Sequence, residues 1–205
     1  MRITAGRWGS IPLFGVPGEK TRPTADKVKE AIFHMIGPYF NGGWVLDAFA
    51  GSGALALEAL SRGAARAVLI EKNVKARQTI IRNVERLGAE DDVLLMAGNV
   101  ENLPDWLWKK RESGALLKPY PLFAEDGGEG FQYAFFDPPY RYSAERLLKL
   151  IHQLKEQGSM TTKSLLVLER PGGRNEVHFW EDHLVLNKIK TYGGTEVIIG
   201  MLKPE

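Results

Sequence analysis

Residues 44–60 read WVLDAFAGSGALALEAL, and this stretch decides how the rest of the chain is organised. It begins with a short apolar run ending in Asp47, which predicts a buried strand, and it ends in a run of strong helix formers. Between them, Gly51 and Gly53 allow the backbone to turn sharply and to approach a ligand closely. The first N–H groups of a helix have no partner within the helix and therefore favour an anion. The stretch predicts a ligand site at the carboxyl end of a strand.

Three kinds of ligand compete for a glycine-rich turn of this type. A phosphate-binding Walker A loop requires Gly-Lys-Ser or Gly-Lys-Thr after the turn, and the sequence GSGA excludes it. A dinucleotide fingerprint, G-x-G-x-x-A, is met from Gly51 onward, with Glu71 about twenty residues later for ribose hydroxyl groups. S-adenosylmethionine also needs an acid for its ribose but carries no phosphate. The carboxylate of Asp47 would repel a pyrophosphate and attract an ammonium group, so the turn favours S-adenosylmethionine.

The composition is that of an ordinary globular protein. The 205 residues suit a single domain, with 44% hydrophobic and 25% charged residues. No apolar run approaches the roughly 20 residues of a membrane span, and no export segment opens the chain. The absence of cysteine excludes disulfides and thiolate metal sites, and the four histidines are scattered. We expect a cytoplasmic protein with no metal and no membrane partner, and we also expect a monomer.

Basic residues are concentrated in residues 1–40 and 62–86, although the net charge is only +2. Such a local excess fits a polyanion such as RNA, and it fits solvated helix faces equally well. Residues 1–20 have no helical period and predict a basic β-ribbon extension with Arg7 and Trp8 at its tip. These two side chains offer charge and a stacking face to RNA, whereas the alternative is that Trp8 packs partly into the core.

Residues 21–205 are predicted to form one α/β domain. Thr24 is expected to cap a first helix that ends near Ile36, and Asn73 and Ser143 are expected to cap two later helices. Strands and helices alternate, which predicts a seven-stranded, mostly parallel sheet with helices on both faces and a closing antiparallel hairpin. Residues 104–130 lack periodicity and are predicted to form an exposed insertion loop.

The sequence Asp137-Pro138-Pro139-Tyr140 directly follows the fourth predicted strand. Two prolines remove two N–H donors and stiffen the turn, which leaves carbonyl oxygens to accept hydrogen bonds. A carboxylate oxygen of Asp137 and the carbonyl of Pro138 could hold both hydrogens of an exocyclic amine, with the nitrogen lone pair directed toward a methyl sulfonium. Tyr140 could stack on the base that carries the amine. We interpret the motif as a site for N-methylation of a nucleobase. The less favoured interpretation is an ordinary proline turn with no catalytic role.

Three segments together resemble the RsmD family of class I methyltransferases. They are residues 44–63, the turn at residues 137–140, and the sequence TRPTADKVKE at residues 21–30. The glycine turn is common to class I methyltransferases, and the Asp-Pro-Pro-Tyr turn is typical of those that methylate amines. Arg22-Pro23-Thr24 and the basic N-terminal segment narrow the resemblance to this family. The similarity covers residues 2–202. Residues 104–130 depart from the family pattern and resemble an insertion.

The resemblance implies a Rossmann-like enzyme that uses S-adenosylmethionine, leaving S-adenosylhomocysteine. It implies methylation of the N2 amine of one guanine, conventionally guanine 966, in 16S ribosomal RNA or an assembling small ribosomal subunit. Carried over by motif, the cofactor contacts are Arg22, Thr24, Asp47, Phe49, Gly51, Ser52, Gly53, Glu71, Lys72, Asn99 and Val100. The residues assigned to the target amine are Asp137, Pro138, Pro139 and Tyr140. The residues we select for RNA contact are Arg2, Arg7, Trp8, Lys20 and Arg141.

Other functions remain to be weighed against this one. An N6-adenine DNA methyltransferase uses a similar Asp/Asn-Pro-Pro-aromatic turn but needs a sizeable target-recognition region, which a short ribbon and one loop hardly supply. A nicotinamide oxidoreductase needs an acid or base for hydride transfer, and no motif offers one. A non-catalytic RNA-binding assembly factor would not need an intact Asp137 turn.

Overall fold

The computed structural model describes residues 1–18, 23–113, 122–123, 129–173 and 176–204, with residues 23–26 described by their backbone alone. The chain divides into two compact units, Met1–Val100 and Glu101–Glu205. The predicted division at residue 20 falls outside the described residues and stays a prediction.

Strands and helices alternate in both units, as the sequence predicts. The described elements of the first unit are α1 (Pro23–Ile36), β1 (Trp44–Asp47), α2 (Ala54–Ser61), β2 (Arg66–Glu71), α3 (Val74–Leu87) and β3 (Val93–Ala97). Those of the second unit are α4 (Leu103–Glu112), β4 (Phe131–Phe136), α5 (Ala144–Glu156), β5 (Leu165–Pro171), α6 (Val177–His183), β6 (Leu184–Tyr192) and β7 (Thr195–Leu202).

The strands form a seven-stranded mixed sheet, which confirms the predicted fold class. The order is β3-β2-β1 in the first unit and β4-β5-β7-β6 in the second. β1, β2 and β3 are parallel, and β4 is parallel to β5 with Phe136 opposite Leu168. β7 runs antiparallel to both β5 and β6, which is the predicted closing hairpin. Parallel strands such as β2 are buried on both faces, so they read as continuous apolar runs.

Local signals correctly placed most helix ends. The side chain of Asn73 accepts hydrogen bonds from the N–H groups of Lys75 and Ala76 and so caps α3, and Ser143 caps α5 in the same way. The first helix ends at Ile36 as predicted, but it begins at Pro23. Thr24 therefore lies inside the first turn and is not the residue that caps it; proline suits the first helical position because its missing N–H needs no partner there.

Two helices in the second unit were not predicted. The prediction that residues 104–130 form an exposed loop is wrong for their first part, because α4 runs to Glu112 and buries Leu107. Leu122 and Phe123 are also fully buried. Pro104 fits this helix because it occupies the first turn, so a proline that reads as a breaker marks a helix start. The short helix α6 buries the side chain of Trp180.

The N-terminal segment is bound to the helices of the first unit by a buried charge cluster around Glu58. Residues 1–18 contain one antiparallel bridge, between Arg2 and Pro12, at the position of the predicted ribbon. The fully buried carboxylate of Glu58 accepts from the backbone N–H and the hydroxyl of Thr4 at 2.8 and 2.6 Å. It also pairs with Lys29 Nζ at 2.5 Å and Arg62 Nε at 2.7 Å. The cluster joins the N-terminal segment, α1 and α2.

The environment of Glu58 keeps its carboxyl group ionised. Burial raises its pKa, but the hydrogen bonds from Lys29 and Thr4 outweigh this effect and hold the pKa below its ordinary value. Because the pKa is depressed in the folded state, the carboxylate stabilises the fold at neutral pH. That contribution is lost as the pH falls through the folded-state pKa.

Among the described residues, no helix is long and apolar enough to cross a membrane.

We predict that Lys29→Met destabilises the protein by about 3 kcal/mol or more, because it leaves a buried carboxylate with one cation fewer. Urea unfolding at pH 7 measures the change. The matched control is Arg7→Gln, which removes the exposed ion pair with Asp92 and should cost less than about 1 kcal/mol. Equal losses in the two variants would contradict a structural role for the Glu58 cluster.

Candidate active site

The turn between β1 and α2 adopts the left-handed backbone that its glycines predict. Gly51 has φ +54° and Gly53 has φ +79°, and the N–H of Gly53 donates to the carbonyl of Ala50 at 2.6 Å. A Cβ atom on Gly53 would lie 3.1 Å from the side chain of Leu69 in β2. The positive φ favours glycine at position 53, and a Cβ atom there would in addition press on the Leu69 side chain.

Two predicted acids accept hydrogen bonds from the backbone of this turn and of the helix that follows it. One carboxylate oxygen of Glu71 accepts from the N–H of Gly51 at 2.9 Å, and the other accepts from the N–H of Asn73 at 2.7 Å. The buried carboxylate of Asp47 accepts from the N–H of Ala56 in α2 at 3.3 Å. The first unit therefore brings the glycine turn and both acids together, as expected for the carboxyl ends of neighbouring parallel strands.

The other residues selected for the cofactor differ in exposure. Lys72 and Asn99 are exposed, Phe49 is half-buried and Val100 is buried. Ser52 is half-buried, and its carbonyl accepts from the side chain of Asn83. Arg22 and the side chain of Thr24 lie outside the described residues, so both stay predictions.

In the second unit, the Asp137 turn follows β4 directly. The N–H of Tyr142 donates to the carbonyl of Pro139 at 2.8 Å and closes the turn. Pro138 is buried, whereas 56% of Tyr140 is exposed to solvent. A rigid turn with an exposed aromatic ring can offer a stacking face without moving.

Desolvation and the charge of Arg170 have opposite effects on the pKa of Asp137. Asp137 is an exposed residue, but the surrounding protein desolvates its carboxyl group and raises the pKa to about 6. The positive charge of Arg170 acts in the opposite direction. Arg170 lies on β5, two residues beyond the partner of Phe136, and is fully buried. Its guanidinium donates to both oxygens of Glu176, at 2.6 and 3.0 Å, and to the carbonyl of Tyr142 at 3.0 Å.

Sequence reasoning missed Arg170 and Glu176. The signal was the one basic residue in the apolar run LLVLERP, next to the predicted end of a strand. Lysine and arginine are almost never fully buried unless they are paired, so a basic residue in such a run indicates an acidic partner nearby. The partner itself lies beyond a turn and has no motif of its own.

The residues selected for RNA contact lie in both units. Arg2, Arg7 and Arg141 are exposed and Trp8 is half-buried, while Lys20 lies outside the described residues. The guanidinium of Arg7 stacks 3.9 Å above the Trp8 ring and forms an ion pair with Asp92 at 2.5 Å. The charge of Arg7 is thus partly neutralised by Asp92.

Within the described residues, no group of three or more His, Cys, Asp or Glu side chains could hold a metal ion.

Comparisons with known proteins identify relatives of this chain. The model of the family described as "Conserved hypothetical protein 95" matches residues 1–201. The Bacillus subtilis protein named "Putative rRNA methyltransferase YlbH" is 35% identical over 97% of this chain and 97% of its own. The Escherichia coli protein "Ribosomal RNA small subunit methyltransferase D" is 34% identical over 82% of this chain and 74% of its own. A solved Escherichia coli structure titled "Putative methyltransferase yhhF" superposes with a TM-score of 0.73 and 29% identity, covering 100% and 99% of the two chains.

The mixed seven-stranded sheet and the glycine turn define a class I, Rossmann-like methyltransferase fold. Because the family model spans nearly the whole chain, the protein belongs to the RsmD family of methyltransferases.

We predict that Arg170→Met raises the pKa of Asp137 above about 6, because it removes the positive charge that favours the carboxylate. Carbon NMR of the Asp137 carboxyl group during a pH titration measures the change. Glu176→Gln is the matched control and should lower the same pKa, because it leaves the charge of Arg170 uncompensated. If the titration midpoint of Asp137 is unchanged in both variants, Arg170 does not influence the pKa of Asp137.

Proposed function

We propose that this protein transfers a methyl group from S-adenosylmethionine to the exocyclic N2 amine of a guanine in 16S ribosomal RNA. By family resemblance the nucleotide is guanine 966, and the substrate is the RNA of an assembling small subunit in the cytoplasm. The proposal rests on the Asp137-Pro138-Pro139-Tyr140 turn at the end of β4, whose carboxyl group is influenced by the positive charge of the buried Arg170.

The first unit fits S-adenosylmethionine better than a dinucleotide. Each carboxylate oxygen of Glu71 that accepts a backbone N–H has a second lone pair, which can accept a ribose hydroxyl. The buried carboxylate of Asp47 suits the ammonium group of the methionine moiety and opposes a pyrophosphate. No atom lies within 4 Å of the place where a Cβ atom on Gly51 would stand, so the turn is open at that residue. When bound, the ligand supplies an electrophilic methyl group on a sulfonium.

The second unit supplies the acceptors for the amine. A carboxylate oxygen of Asp137 and the carbonyl of Pro138 accept the two N–H groups, and Tyr140 stacks on the base. Held in this way, the nitrogen presents its lone pair for attack on the methyl carbon, and the proton leaves to water once the new bond has formed. The guanine must leave its stack to reach the turn. Positioning and local electrostatics therefore supply most of the rate enhancement.

The names of the relatives favour RNA over DNA as the substrate. The Escherichia coli relative is named for small-subunit ribosomal RNA and the Bacillus subtilis relative for rRNA. We further propose that Arg2, Arg7, Trp8, Lys20 and Arg141 contact this RNA. N6-methylation of adenine in DNA is the second candidate, because a similar turn would also hold the N6 amine.

We predict that Glu71→Gln weakens binding of S-adenosylmethionine by roughly tenfold or more, because a charged hydrogen bond is worth about 1.5–3 kcal/mol. Calorimetric titration measures the affinity. Glu85→Gln, which removes an exposed carboxylate from α3, is the control and should bind like the wild type. A parallel titration with NAD tests the oxidoreductase alternative: binding of NAD in place of S-adenosylmethionine would contradict the proposal.

We predict that Asp137→Ala loses most methyl transfer to 16S rRNA yet still binds S-adenosylmethionine, whereas Asp137→Asn keeps partial activity through its amide oxygen. Because the carboxylate is the active form, the wild-type single-turnover rate should rise with pH through about 6 and then level off. The Asn variant should be flat over this range.

Transfer of a radiolabelled methyl group measures these rates. Asp105→Asn on α4 is the control for loss of an exposed carboxylate and should behave like the wild type. Wild-type rates in Asp137→Ala would refute the assignment of the turn.

A further inference from the structure

Helix α3 and the residues just before it are rich in basic side chains. Five basic residues and a single acid, Glu85, lie between residues 72 and 86. The helix begins at Val74, after its N-cap Asn73, and carries Arg82 and Arg86 on its exposed side, one helical turn apart. The function proposed above uses none of the residues of this helix.

Two of these cations are held over an aromatic ring. The guanidinium carbon of Arg82 lies 4.0 Å from the ring centroid of Phe14, and that of Arg86 lies 5.1 Å from it. Phe14 belongs to the N-terminal segment and is half-buried. Stacking on the ring restricts both side chains, so less conformational entropy is lost when their N–H groups bind a ligand.

A buried asparagine fixes this arrangement to the glycine turn. The side-chain oxygen of Asn83 accepts from the N–H of Phe14 at 2.7 Å, and its amide group donates to the carbonyl of Phe14 at 3.1 Å. The same amide group donates to the carbonyl of Ser52 at 3.0 Å. Asn83 therefore ties the stacked surface to the loop that is proposed to hold the methyl donor.

Charge complementarity identifies the partner as a phosphate backbone. Within the described part of the chain, no carboxylate forms an ion pair with Arg82 or Arg86. Arg7 differs, because Asp92 neutralises it. Guanidinium groups match the geometry of phosphate oxygens and are weakly hydrated.

We infer that Phe14, Arg82 and Arg86 form an RNA-binding surface, the Phe14 platform, which holds the phosphate backbone of the substrate and has Asn83 as its link to the glycine turn. The identity of the RNA rests on the proposed function. The platform consists of other residues than the predicted RNA contacts Arg7 and Trp8. Its two arginines form no ion pair with a carboxylate of the described residues.

The test is the salt dependence of binding to in vitro transcribed 16S rRNA and to small subunits that lack the modification. Arg82→Gln/Arg86→Gln should bind about tenfold more weakly, and the slope of log affinity against log salt should fall by about 2. Phe14→Leu keeps both charges, so it should lose less affinity and keep the wild-type slope. Affinity for S-adenosylmethionine should be unchanged in all variants, which also shows that the first unit is folded.

The matched control is Lys188→Gln/Lys190→Gln, which removes two exposed cations from β6 and should leave binding unchanged. Wild-type binding by the arginine variant, or an equal loss in the lysine control, would overturn the platform. Failure of the wild type to bind either RNA would overturn the platform and the proposed function together. Loss of binding in the arginine variant, combined with no transfer of methyl to guanine by the wild type, would overturn the proposed function alone.

Discussion

The left-handed turn at Gly51 and Gly53 is the constraint on which the first unit depends. A Cβ atom at Gly53 would lie 3.1 Å from the Leu69 side chain in β2 and would also contact Leu57 in α2 and Ile80 in α3, so glycine lets the turn lie close to these side chains. The turn is held from one side by Glu71 and from another by Asn83. Through these hydrogen bonds the turn contacts strand β2 and helix α3, and Asn83 also binds the N-terminal segment at Phe14.

The carboxylates of the two units differ in a way that matches different tasks. Asp47 and Glu71 accept backbone N–H groups, so they are structural parts of the turn as well as candidates for binding polar groups of a ligand. Asp137 is desolvated, its pKa is raised to about 6, and Arg170 opposes that rise. Above a pH of about 6 this carboxyl group is ionised, and it can then accept hydrogen bonds from the N–H groups of a neutral amine.

Much of this structure could be predicted from the sequence because the signals were local. The glycine turn, the cap at Asn73 and the closing hairpin each depend on a few adjacent residues with a defined conformational preference. The Glu58 cluster could not be predicted, because its partners come from residues 4, 29 and 62 and meet only after the chain has folded. Arg170 was missed for the same reason. Helix α4 was missed because it contains a proline and buries only two residues, Leu103 and Leu107. Two apolar positions are too few to show a helical period in the sequence.

The identity of the methylated nucleoside tests whether the protein transfers methyl to the N2 amine of guanine. The purified protein would be incubated with S-adenosylmethionine and small ribosomal subunits that lack the modification, and the digested 16S rRNA would be analysed by mass spectrometry. We predict one new N2-methylguanosine per subunit, at guanine 966. A methyl group on adenine N6, or no methylated nucleoside under conditions in which S-adenosylmethionine binds, would contradict it.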